Sequence, residues 1–171
     1  GIDPIGVMRA IYVNIREVGF EQGASTLTQQ LVRSLFLSNT KTISRKIKEA
    51  LYSLIIEARF DKKEILEAYL NQVYLGQVGD QSIHGISAGA DFWFGRDVSN
   101  LKDHEIALLI GLVQGPYYWD PRKHPERALK RRAVVLGVFL ETGLLTQQQF
   151  DVANKAPLGV VEKPVLVRNR A

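Results

Sequence analysis

Glu49 follows Arg45 by four residues and Lys46 by three in the run Arg45-Lys46-Ile47-Lys48-Glu49. On a helix turning about 100° per residue the three fall within one arc of roughly 100°, so a carboxylate and two cations share a surface. Two kinds of chemistry are open to such a trio. It can be a solvated salt-bridge cluster contributing a few tenths of a kcal/mol. Beside a bound phosphate, Arg45 and Lys46 can instead hold the leaving group while Glu49 handles protons or a metal. The stretch Gly23-Ala24-Ser25-Thr26-Leu27-Thr28-Gln29-Gln30 bears on that choice. Thr26 as N-cap with Gln29 three residues later fits a capping box, and the helix it starts offers free N–H groups and a partial positive charge to an anion. Arg33, one turn in, strengthens that preference. Leu27, Leu31 and Leu35 recur on one face and should be core, leaving Gln29, Gln30 and Arg33 as a polar wall.

The elements that must position these residues are helices. The chain has 171 residues, 46% of them hydrophobic, enough for one domain around one main core. A formal charge of +4 suits phosphate ligands, anionic lipid surfaces or nucleic acid without choosing among them. Absence of cysteine excludes a disulfide framework and a thiolate metal site. His84, His104 and His124 are isolated and give no metal-ligand spacing, and no apolar run is long enough to span a membrane. The chain opens at Gly1-Ile2-Asp3-Pro4 as though cut from something longer.

Residues 4–16 read as a broadly apolar helix, core or bilayer-facing, and 19–23 as a glycine-flanked loop expected to be mobile. A long helix is expected over 42–59. Its Ile43, Ile47, Leu51, Leu54 and Ala58 form an apolar face that Tyr52, Ile55 and Ile56 widen, the mark of a buried helix. Asp61 caps a helix over 62–71, in which Glu67 is structural. Residues 76–95 read as a turn and a helix over 83–94, with Gly85 and Gly89 on one close-packing face and Phe92, Trp93 and Phe94 in the core. Ser99 or Asn100 starts the next helix. From Pro125 a helix runs from a basic half (Arg127, Lys130, Arg131, Arg132) into an apolar one and stops at Gly143; Thr146 starts another that Pro157 closes. Strand alternation is almost absent, so the expected fold is all-α.

Four segments in this order and spacing resemble the peptidoglycan glycosyltransferase domain of class A penicillin-binding proteins and monofunctional transglycosylases. They are residues 23–30, residues 45–49, Lys62-x-x-Ile65-Leu66-Glu67-x-Tyr69-Leu70-Asn71, and Arg131-Arg132-Ala133-Val134-Val135-Leu136. The similarity covers 1–159, and 160–171 reads as a linker or the start of a following domain. The resemblance implies a lysozyme-like helical fold that polymerises lipid II into β-1,4-linked glycan with inversion and release of undecaprenyl pyrophosphate. It implies that Glu49 is the second catalytic glutamate and that Arg45 and Lys46 hold the pyrophosphate. Ser25, Thr26, Gln30 and Arg33 would wall the donor site, and Arg131 and Arg132 match the fifth motif. Implied partners are lipid II, the growing glycan, a membrane surface and moenomycin-type inhibitors, at the extracytoplasmic face of the bacterial inner membrane, with no nucleic acid. No cofactor is required; a divalent cation, Mg or Mn, is compatible with Glu49. The family's first motif, of the form Glu-Asp-x-x-Phe-x-x-His-x-Gly, should end where this chain begins, with Gly1 as its last glycine. Neither Glu17 nor Glu21 replaces its glutamate, which puts the activity of this stretch alone in doubt.

Other readings make different demands. A helix-turn-helix module would use the basic helix starting at Thr42, but that helix becomes apolar nearly all round where a recognition helix keeps a polar face. A glycan-cleaving enzyme on the same fold needs a carboxylic acid and no pyrophosphate cations. An inactive binding scaffold stays open through the missing first motif.

Overall fold

The computed structural model describes residues 27–37, 40 and 42–162. The apolar run 4–16, the loop 19–23, Ser25, the N-cap Thr26 and the tail 163–171 lie outside them. The described residues form α1 (Leu27–Phe36), α2 (Ile43–Arg59), α3 (Lys62–Gln72), β1 (Tyr74–Val78), β2 (Gln81–His84), α4 (Ile86–Phe94), α5 (Asp103–Leu112), α6 (Pro125–Glu141) and α7 (Gln147–Lys155). α1 packs on α2 and α3, while α5, α6 and α7 pack on one another, and α4 touches α3, both strands and α5. Trp93, Phe94, Leu108, Leu112 and Leu136 lie at the centre of the core, so the aromatic run at the end of α4 is buried as expected.

Local chemistry sets most boundaries. Thr42 caps α2 by accepting from the Arg45 N–H at 3.2 Å. Asp61 and Glu64 close a reciprocal capping box on α3, as Thr146 and Gln149 do on α7. The helix expected from Ser99 or Asn100 begins instead at Asp103, because Asp97 draws Val98–Asn100 into a 3-10 turn by accepting from Ser99.

The mostly helical fold stands, with one correction at residues 74–84, where a two-stranded antiparallel hairpin replaces the expected turn. Gly79 opens the connection to β2 at a φ of 55°, and register is irregular between Tyr74 and Gly76. There the Trp93 indole N–H donates to the Leu75 carbonyl at 2.8 Å, tying the hairpin to α4. Gly85 belongs to no helix face; it precedes α4 at a φ of 88°. Gly89 does permit close packing, since a Cβ there would lie 2.4 Å from Leu75 Cδ1.

The larger correction concerns α2. Ile43 is 81% exposed, and Ile47, Leu51, Leu54 and Ile55 are exposed too, whereas the buried residues of this helix are Glu49 and Ser53. Periodicity located the two stripes correctly; their orientation is the reverse of the usual one. The polar stripe can face inward because its groups are paired with one another, which lowers the desolvation penalty that normally keeps such groups in water.

Gly85 tests the junction between hairpin and α4. A Cβ there would combine a left-handed φ with a 2.9 Å approach to the Asn71 carbonyl oxygen. Gly85→Ala is expected to destabilise the fold by about 1–3 kcal/mol, seen as a lower urea midpoint at unchanged slope. An unshifted midpoint would show that the junction relaxes freely.

Candidate active site

The middle of α2 carries the site's charged centre. Arg45 Nη1 donates to Glu49 Oε2 and Lys46 Nζ to Glu49 Oε1, each at 2.5 Å, and the Glu49 side chain is 1% exposed. Both contacts follow from i,i+4 and i,i+3 spacing on one helix, so the sequence alone assembles the trio. Ser53 Oγ donates to the Glu49 carbonyl at 2.7 Å one turn on. Burial pushes the Glu49 carboxyl up, but the hydrogen bonds and charges of Lys46 and Arg45 outweigh it and hold the group below the ordinary 4.5. Glu49 is thus an ionised carboxylate. Arg45 is not exhausted by it, since its buried Nε has no hydrogen-bond partner among the described residues.

A second polar group forms where α1 meets α3. Tyr69, buried on α3, donates its hydroxyl to Gln30 Oε1 at 3.4 Å. Desolvation pushes the Tyr69 phenol up to about 12, against the opposing field of Arg33. Gln30 and Arg33 are thereby placed together at Tyr69. Glu49 feels the charges of Lys46 and Arg45, and Tyr69 that of Arg33, on helices that pack on each other. Tyr69 read as a core residue because its ring completes an apolar stripe; its place beside Leu70 and Asn71 in the third matched segment was the available sign of a polar role.

Arg131 and Arg132 stand elsewhere, on α6, and both are buried. Arg131 Nε donates to the Gly111 carbonyl at 3.3 Å, and burial brings its guanidinium down to about 10. Arg132 donates to the carbonyls of Asn154, Ala156 and Pro157 at 2.7–3.0 Å. These are orphan acceptors at the end of α7, so Arg132 acts as a cap supplied from a neighbouring helix. The hydrogen-bond acceptors of Arg132 are backbone carbonyls, and α6 packs chiefly on α5 and α7. Sequence reasoning treats a paired arginine motif as an anion site; the structure places this one in the core.

The donor set does not fit a divalent ion. Among the described residues no three carboxylate or imidazole groups converge, and both Glu49 oxygens already face cations.

Residues 1–139 match the family model described as Transglycosylase. Penicillin-binding protein 1B of Haemophilus influenzae is 46% identical over 98% of this chain, and penicillin-binding protein 1A of Aquifex aeolicus is 48% identical over 94% of it. The chain spans 22% of the length of each of these relatives. In three dimensions it is similar to crystalline penicillin-binding protein 1A from Haemophilus influenzae, with a TM-score of 0.55 and 31% identity over 68% of this chain and 17% of that one.

Two substitutions separate the roles described. Glu49→Gln removes an ionised partner whose contribution is complete above the ordinary value of 4.5 and is lost as pH falls through the lower folded value. Its stability deficit against wild type should therefore shrink from about pH 6 to about pH 3 in urea titrations, and a pH-independent deficit would refute the pairing. Arg132→Met strands carbonyls at the end of α7 and should cost about 2–3 kcal/mol. An unchanged urea midpoint would leave Arg132 available as a ligand residue.

Proposed function

We propose that this chain, which belongs to the transglycosylase family, supplies the donor side of a peptidoglycan glycosyltransferase that polymerises lipid II and releases undecaprenyl pyrophosphate. The observation that carries this reading is the Arg45–Glu49–Lys46 arrangement, two cations set side by side by one buried carboxylate. In the reaction, the 4-hydroxyl oxygen of the incoming unit attacks the anomeric carbon of the lipid-linked chain. The bond to pyrophosphate breaks on the opposite face, giving inversion, and the hydroxyl proton passes to a base. Negative charge then grows on the bridging pyrophosphate oxygen, where Arg45 and Lys46 would stabilise it. Glu49, ionised and fully engaged, orients those cations and is not the proton donor.

The lowered pKa of Glu49 also weighs against glycan cleavage, which needs a carboxyl group kept protonated to act on the leaving oxygen. Gln30 and Arg33 are taken to extend the anion surface along α1, with Ser25 and Thr26 preceding it. Arg131 and Arg132 would support the fold behind it. A membrane partner follows from the substrate's lipid, and the exposed Ile43, Ile47, Leu51 and Leu54 offer an apolar face of suitable chemistry. No described helix is long and apolar enough to cross a bilayer. The site of action is then the extracytoplasmic face of the bacterial inner membrane, and moenomycin-type inhibitors would compete for the same cations.

The test is lipid II polymerisation by a protein carrying this chain together with the first-motif glutamate. Glu49→Gln keeps shape but frees both cations and should lower turnover by about 10²–10⁴ without weakening donor binding. Arg45→Ala should weaken donor binding as well as turnover, because it removes a contact to an anion already present in the ground state. Thermal unfolding controls for fold. Near-normal polymerisation by Glu49→Gln would reduce the trio to a salt bridge.

A further inference from the structure

The turn after α5 exposes aromatic rings in a row. Pro116 is buried and anchors it, while Tyr117 is 78% and Tyr118 54% exposed. Each ring carries a cation: Lys123 Nζ, which also pairs with Asp120 Oδ2 at 3.7 Å, lies 5.1 Å from the centroid of Tyr117, and Arg127 Cζ lies 4.7 Å from that of Tyr118. Tyr118 also stands edge-on to Trp119 at 4.6 Å, and Arg131 Cζ lies 6.0 Å over Trp119 from beneath. Asp120 stiffens the turn by accepting from the backbone N–H groups of Arg122 and Lys123. Arg122 bolts it to the core, donating to the carbonyls of Phe92 and Val161 and stacking on Trp93 at 4.4 Å.

Two exposed tyrosines on so rigid a base are unusual for a solvated turn, because cation–π pairing fixes ring orientation before any ligand arrives. A cation over one face of Tyr117 leaves the other face to solvent. An open ring face takes the C–H face of a pyranose, and the Arg127 guanidinium takes a carboxylate, with Lys123, already paired to Asp120, adding a weaker positive field. We propose that Tyr117 and Tyr118, with Lys123 and Arg127, form a ledge that binds a carboxylate-bearing amino-sugar strand. The inference rests on the reading above that this chain belongs to a machine producing such a strand. A bilayer fits less well. The exposed rings each carry a hydroxyl, the turn includes Asp120, and Glu126 stands exposed in the first turn of α6, whereas the aliphatic surface suited to lipid lies on α2.

The ledge is tested by binding, followed through fluorescence of Trp119 beside Tyr118. The probes are uncross-linked glycan strands that retain acidic stem peptides, neutral chitin oligosaccharides of matched length, and vesicles rich in anionic lipid. Tyr117→Ala with Tyr118→Ala should weaken strand binding by about tenfold or more. Lys123→Gln with Arg127→Gln should weaken it about fivefold at low salt, with the difference fading as salt rises, and should leave the neutral oligosaccharide unaffected. All four positions are at the surface, so thermal unfolding should not move. Strand binding equal to wild type in both double variants overturns the ledge, as does a loss confined to vesicle binding, which would make the surface a lipid site. Lipid II polymerisation is measured in parallel. Normal polymerisation with unaltered strand binding in the variants removes the ledge alone, while a wild-type protein that neither polymerises nor binds strands removes the functional reading with it.

Discussion

The pairing of the Glu49 carboxylate with Arg45 and Lys46 is the constraint from which the first half of the fold follows. A lone carboxylate at 1% exposure would carry a desolvation penalty of several kcal/mol. Cations three and four residues earlier on the same helix meet that penalty locally, so α2 can turn its polar stripe toward α1 and α3. The apolar stripe then has only one direction left. Its exposed isoleucines and leucines are therefore the counterpart of the ion cluster centred on buried Glu49, and one helix presents charge to one side and hydrocarbon to the other.

The second half meets the same difficulty with a different partner. Arg132 and Arg122 are cations whose hydrogen bonds run to backbone carbonyls, at the end of α7 in one case and at Phe92 and Val161 in the other. A planar guanidinium reaches several carbonyls at once, which an ammonium does less well. Together with Val161 N–H donating to Trp93 at 2.8 Å, these bonds fix the course of residues 156–161 across the domain. Residues 160–171 read from sequence as a linker or the start of a following domain, and Val161 within them is bonded to Trp93 and Arg122. Arg132 thus anchors the chain at the end of α7, with its buried Nε left without a hydrogen-bond partner among the described residues.

What could be read from sequence was what is local. Capping at Asp61 and Thr146, the stop at Gly143, the buried run Phe92 to Phe94 and the Arg45, Lys46 and Glu49 cluster depend on residues a few positions apart, and the structure has each of them. What escaped was what depends on a distant partner. The hairpin was missed because Leu75-Gly76-Gln77-Val78 is short and glycine-broken, and Trp93, 18 residues on, helps to hold it. The orientation of α2 was missed because helical period gives the phase of a stripe but not which side faces the domain. Arg131 and Arg132 match the fifth motif by residue type and order; their backbone carbonyl partners, 20 to 25 residues away, leave no trace in that pattern.

The two polar groups near α1 suggest how binding and release could be balanced on the functional reading proposed above. Two cations without Glu49 would hold a pyrophosphate tightly in the ground state, and such uniform binding lowers KM without speeding the chemical step. Glu49 cancels one charge of the pair and fixes the geometry of both. On that reading the net attraction for a resting diphosphate is reduced, while the two donors would still stabilise the charge that appears only as the bond breaks. Arg33 places a further positive charge beside Tyr69, on the helix that packs against the one carrying Glu49. A polymerising enzyme must let go of its lipid carrier after every addition, and a cation pair tempered by a carboxylate meets that need better than two free cations.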